Sequence, residues 1–136
     1  MTHPIVLLQT ALVAALNTDA ALAALLGAGA AFDAPPRGAS APYVVVARHD
    51  LVPRDADAAP GNDHRVILHL WHPASSRKAV LAIAERVSEV ALQADLASDG
   101  LLVTNRTLER TDTAIDLPTG AARAALTLRF FTEPST

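Results

Sequence analysis

The sequence predicts an α+β fold: an antiparallel or mixed sheet of about four strands with helices packed on one face. Three observations point there. Apolar residues recur at helical spacing in some segments and at strand spacing in others. Along the 136 residues these segments run helix, helix, strand, strand, helix, strand, strand. The strands therefore form two hairpin-like pairs flanking a helix, which leaves the helices together on one side of the sheet.

Each element has its own grounds. Pro4 suits the first turn of a helix, where its missing N–H is not needed, and Ile5, Leu8, Leu12 and Leu16 then make one apolar stripe. "NTDAALAALLGAG" reads as a short second helix, capped by Thr18 or Asp19 and stopped by Gly27 or Gly29. "APPRGASAP" must be extended or turning, because proline restricts itself and its predecessor. "YVVVARHDL" is a strand rich in β-branched residues, and "VPRDADAAPGND" is a long exposed loop without apolar periodicity. "HRVILHLWH" is the second strand, ended by Pro73. Ser75 or Ser76 then caps a helix whose Val80, Ile83, Ala84, Val87, Val90 and Ala91 share a broad face, with Leu92 at its margin. On its other side Glu85 and Glu89 repel one another one turn apart unless a cation such as Arg86 moderates them. A turn at Asp99-Gly100 leads to the third strand, and "TDTAIDLPTG" forms a second polar loop. The last strand puts Ala122, Ala124, Leu126, Leu128 and Phe130 on one face and Arg123, Thr127, Arg129 and Phe131 on the other.

Composition narrows the function. One domain spans residues 1–136, a length that buries a core unaided. Half the residues are apolar, yet aromatics make up only 4%, so burial per residue is modest and association is favoured. A formal charge of -3 and a single lysine, Lys78, argue against a general nucleic-acid binder. Without cysteine there is no disulfide framework, zinc–thiolate site or thiol nucleophile. The apolar start "MTHPIVLLQTALVAAL" lacks a basic flank and is interrupted by Asn17, Thr18 and Asp19, so an amphipathic helix is expected, not a signal peptide or membrane span. The expectation is a soluble, cytoplasmic protein.

The histidines are the first candidates for chemistry. His64 and His72 share one face of the second strand and His69 lies on the other. Eight residues of strand also separate His64 from His72 by roughly 26 Å, so one ion cannot collect both. His49 can pair with one of them across the hairpin, but two imidazoles without a carboxylate make a poor site. Asp55, Asp57 and Asp63 lack the glycine and terminal glutamate of a calcium loop. No phosphate-binding glycine loop, nucleophile elbow or zinc-protease motif occurs. No catalytic residue, metal site or cofactor is expected.

The outer face of the second strand is more informative. With Val66, Leu68 and Leu70 against the helices, Arg65, Ile67, His69 and Trp71 face away. Either a loop or a neighbouring subunit covers this lone tryptophan, and Trp and Arg favour interface centres. The four residues form the candidate subunit interface. Open sheet edges give a second route to association.

Four stretches then carry a resemblance. They are the "DAALAALLG" second helix, the "APYVV" strand entry, the "LHLW" strand with its following "AVLAIAERV" helix, and the closing "RAALTLRF". In this order the chain resembles, over nearly its full length, the tail-completion or tail terminator proteins (minor tail protein U-like) of long-tailed phages and phage-like gene transfer agents. The resemblance implies a non-enzymatic structural subunit that forms a hexameric ring at the head-proximal end of the tail tube. The ring would stop tube growth, meet a head–tail connector or stopper protein, and leave a channel for DNA without sequence-specific binding. The implied location is a virion assembled in the bacterial cytoplasm, with no membrane contact. Under this reading the loops 53–63 and 111–119 are contact elements, with Arg54, Asp55, Asp57, Asp63, Asp112 and Asp116 facing tube, connector or lumen. The rival is a small dimeric ligand-binding or regulatory α+β domain; an enzyme built on the histidines ranks behind both.

Overall fold

The computed structural model describes residues 2–38, 40–54 and 60–135. Its elements are α1 (Pro4–Thr18), α2 (Ala20–Leu26), β1 (Ala31–Phe32), β2 (Tyr43–Pro53), β3 (Asn62–His72), α3 (Arg77–Gln93), β4 (Leu102–Ile115) and β5 (Ala122–Glu133). The strands form one mixed sheet in the order β1-β2-β3-β5-β4. Its inward residues Val66, Leu68, Leu70, Ala124, Leu126, Leu128 and Phe130 are almost wholly buried beneath the helices.

Helix α1 begins on a cap that the sequence reading did not anticipate: His3 Nδ1 accepts the Ile5 N–H at 3.1 Å, ahead of Pro4 in the first turn. Leu8, Leu12 and Leu16 are the buried part of the expected stripe. Of the two possible caps for α2, Asp19 is the one used, accepting the Leu22 N–H at 2.9 Å. The chain bends by 77° between α1 and α2 at this residue, and Gly27, at φ 91°, ends α2 in a conformation unfavourable to other residues. Ser76, not Ser75, caps α3. Arg106 of β4 donates to the carbonyls of Ala91 and Ala94 at 3.1 and 2.5 Å, placing a cation on the free carbonyls at the end of α3.

The fold class is as expected, with one added strand. Ala31–Phe32 pairs parallel to β2 at Val44 and Val45. Two residues are too few to show strand periodicity; what holds them is Asn17, whose amide both donates to and accepts from the Ala31 backbone at 3.1 and 2.9 Å.

Both polar loops are shorter than expected. β2 continues to Pro53 and β3 starts at Asn62, so Asp63 lies in a strand. β4 runs to Ile115, so residues 111–115 are strand as well, and the connection to β5 is a turn closed by the Asp116 N–H on the Ala121 carbonyl at 2.8 Å. Polar residues are kept in these strands because arginines on the neighbouring strand pair with them.

Candidate functional site

The helices cover one face of the sheet, and among the described residues no helix covers the other. β3 lies at its centre. Cross-strand register aligns Tyr43 and Arg123 with Trp71, Val45 and Ala125 with His69, Arg48 and Thr127 with Ile67, and Asp50 and Arg129 with Arg65. Directly opposed residues share a face, so the sequence-predicted quartet Arg65, Ile67, His69 and Trp71 sits together in the middle of this surface. Val45 and Ala125 are buried there by their neighbours alone, while Ile67, His69 and Trp71 are half-buried.

Charge surrounds this apolar centre. Arg65 donates to Glu109 at 3.0 Å, Arg123 to Asp112 at 2.7 Å and Arg48 to Asp50 at 2.9 Å. Arg129 grips Asp63 with two bonds of 3.0 and 2.6 Å and lies over the Phe131 ring at 4.7 Å. The Arg129 guanidinium holds the Asp63 carboxyl below the usual carboxylate range. The register also puts Arg110, opposite Thr127, on this face. With Arg48, Arg65, Arg123 and Arg129, five arginines stand on the surface. Strand parity made β3's part of it legible; Arg123 and Arg129 were placed on a polar face but not joined to the quartet, because nothing local in the sequence gives strand order.

The remaining predicted contact residues are dispersed. Asp63 is buried in β3 and Asp112 lies within β4 on Arg123, so neither occupies a loop. Asp116 is in the β4–β5 turn, where it accepts from the Thr119 hydroxyl at 2.5 Å. Arg54 follows β2, 3.8 Å from Asp63. Asp55 and Asp57 lie outside the described residues.

The histidines divide as strand parity requires. His69 faces outward, where burial and then Arg123 lower its pKa. His72 Nδ1 accepts the Ala74 N–H at 3.1 Å, stabilising the strand end. His64 points inward and is fully buried. It belongs to a relay that spans four elements: Gln9 donates to His49 Nδ1 at 3.2 Å, His49 Nε2 meets His64 Nδ1 at 2.8 Å, and His64 Nε2 meets Thr132 Oγ1 at 2.9 Å. The Gln9 amide nitrogen can only donate. Each Nδ1 is therefore an acceptor and each Nε2 a donor, which makes both rings neutral. Burial is the main cause that pushes each ring's pKa down to about 4, consistent with that assignment. No carboxylate belongs to the relay, and among the described residues no group of three or more His, Asp or Glu side chains is placed to hold a metal. The relay ties α1 to the sheet. Gln9 and Thr132 were invisible to the sequence reading, since only the fold brings them to His49 and His64.

The two serines ahead of α3 have structural partners. Ser76 Oγ accepts the Ala79 N–H at 3.1 Å, and Ser75 Oγ donates to the Gly120 carbonyl. Asp19, besides capping α2, receives two bonds from Arg86 of α3 at 2.8 and 2.6 Å, which hold its carboxyl down at about 2. The third bond of Arg86 goes to Glu89 at 3.0 Å, so the expected repulsion between Glu85 and Glu89 is moderated from within the helix.

Residues 10–133 match the family described as Tail completion protein gp17. Among solved structures the chain is similar to one from the virion of a native gene transfer agent (GTA) particle. The two are 27% identical with a TM-score of 0.83, covering 97% of this chain and 99% of the other. No curated protein matches the chain.

Proposed function

The chain belongs to the tail completion protein gp17 family, and on that premise we propose that it ends the tail of a phage-like particle as a ring of identical subunits. Membership makes it a non-enzymatic structural protein. The finer reading is a hexameric terminator that caps the tail tube, meets a connector or stopper protein, and leaves a channel through which DNA passes without sequence-specific contacts. It is a component of the virion, as its structural relative is.

The observation that carries the ring reading is the open sheet face. Ile67, His69 and Trp71 form a half-buried centre inside a border of five arginines, on a side of the molecule that no described helix covers. Stable interfaces have this anatomy of apolar centre and polar rim, and aromatic and arginine side chains are where binding energy concentrates. The hairpin ends around Arg54 and Asp116 supply polar contacts to tube or connector, or an acidic lining that DNA does not adhere to.

Analytical ultracentrifugation at several concentrations, alone and with the tail tube protein, tests this reading. A species of about six chains is expected at least when tube is present. A chain that stays monomeric or dimeric in both conditions would contradict it.

A further inference from the structure

We infer that the relay of Gln9, His49, His64 and Thr132 is an acid-sensitive latch, which holds the first half of α1 on the sheet and releases it when both rings are protonated. It lies within one chain and does not depend on how subunits assemble. A break in strand alternation builds it. Val44 and Val46 of β2 face inward opposite Leu70 and Leu68, so regular alternation would turn Arg48 inward and His49 outward. The bulge between Val46 and Arg48 resets the pattern. Arg48 then opposes the outward Ile67, while His49 opposes the inward Val66 and meets Gln9 of α1. Re-aiming a side chain is what a bulge does at functional positions of a sheet.

The latch has three hydrogen bonds, and each has room for one hydrogen. With neutral rings the Gln9 amide N–H fills the first, His49 Nε2–H the second and His64 Nε2–H the third. One added proton fits on His49 Nδ1 once the Gln9 amide turns over and its oxygen accepts. A second would set two N–H groups against each other across the 2.8 Å between the rings. The closed latch thus holds at most one added proton, whereas two freed rings hold two, so acid favours the opened form. Burial disfavours charge on both rings, and for His49 the neighbouring His64 adds to it. Asp50 and Asp63 act the other way, but Arg48 and Arg129 engage them; His3 opposes charge on both rings. Helices α1 and α2 contain no ionisable side chain, α3 buries only apolar residues, and β5 contributes the neutral Thr132 hydroxyl.

Release is directed to the start of α1. The far end is fastened by Asn17 on Ala31 and, through Asp19, by Arg86. At the near end His3 Nδ1 accepts the Ile5 N–H, and a protonated imidazole cannot accept. Acid therefore acts on the cap and on the tie of the same half-helix.

NMR of the full wild-type chain tests the latch. Nitrogen-15 shifts of the imidazoles at pH 7 are expected to show His49 and His64 both as Nε2–H tautomers; an Nδ1–H tautomer in either would overturn the hydrogen count. Amide exchange, corrected for the pH dependence of the chemical step, is then followed at pH 7 and pH 5 in low urea. Leu8–Val13 should exchange about tenfold faster or more at pH 5, through an opening that urea barely affects, while exchange at Val66–Leu70 rises with urea as global unfolding does. No acceleration in α1, or acceleration with the urea dependence of the sheet, would overturn the latch. His49→Gln, whose amide can face a protonated His64 without opposed donors, should largely remove the acceleration. His3→Ser, which keeps a cap that does not titrate, should retain it. Full acceleration in His49→Gln, or its loss in His3→Ser, would equally overturn the latch; should either variant fail to fold, the wild-type measurements decide.

Discussion

Asp19 joins three helices at one residue. Its backbone N–H ends α1, while its carboxylate caps α2 and receives Arg86 from α3, so removal of the side chain affects α2 and α3 at once. Asp19→Ala should lower Tm by several degrees, since a lost cap and a lost ion pair coincide. Asp19→Asn, which keeps an acceptor for the Leu22 N–H, should cost less; equal losses in thermal melts would show that the cap contributes nothing. Arg86→Ala should resemble Asp19→Asn more than Asp19→Ala.

The buried histidines give a pH dependence with a definite sign. Both rings are neutral in the fold with pKa values of about 4, against the ordinary 6.5. The unfolded chain therefore binds more protons throughout that interval. Stability is complete above pH 6.5 and is withdrawn as the pH falls toward 4, at up to ~1.4 kcal/mol per unit for each ring. Urea denaturation should thus give a free energy about 2 kcal/mol lower or more at pH 5 than at pH 7. In the double variant His49→Gln, His64→Leu that difference should shrink sharply; an unchanged difference would place the titrating groups elsewhere. What the sequence offered at this scale was parity, enough to separate His64 from His69, but not the partners Gln9 and Thr132, which lie 40 and 68 residues away from the rings they contact.

Among the elements, α1 is uncharged on its exposed side as well as on its buried one. Its inner row of Leu8, Leu12 and Leu16 is buried. Leu12→Ala should cost about 2–5 kcal/mol by urea denaturation, as a core truncation with a residual cavity does. Val6→Ala on the exposed side should stay within about 0.5 kcal/mol. Comparable losses at both positions would mean that the outer side is covered within the monomer. The helices were legible because their signals are local: Pro4, the leucine spacing, Asp19, Gly27 and Ser76 lie within the segments they bound. The strand limits were not. Asp63 and Asp112 read as loop residues because their charge is neutralised by Arg129 and Arg123, which stand on another strand. β1 was missed because Asn17, from α1, supplies the hydrogen bonds that define it.

At the scale of the whole molecule, the arrangement is a two-layer subunit with uncovered surface on both sides. One face was readable in part, since alternation along "HRVILHLWHP" puts Arg65, Ile67, His69 and Trp71 together. The full surface was not, because the strand order that adds β5 between β3 and β4 is set by nonlocal pairing. A protein with an apolar face on each side and no catalytic constellation among its described residues is suited to assembly, and its family places that assembly in the completion of a tail. Trp71→Ala, at the centre of the sheet face, should leave the Tm within a few degrees of wild type yet weaken self-association at least tenfold in sedimentation; unaltered association would remove Trp71 from the contact.

Electron microscopy of tail tubes polymerised in the presence of the purified chain tests the terminator claim most directly. The expected image is a ring with a central channel at one end of each tube, with no further growth from that end. Tubes that elongate from both ends without a ring, or that carry the chain along their length, would contradict it.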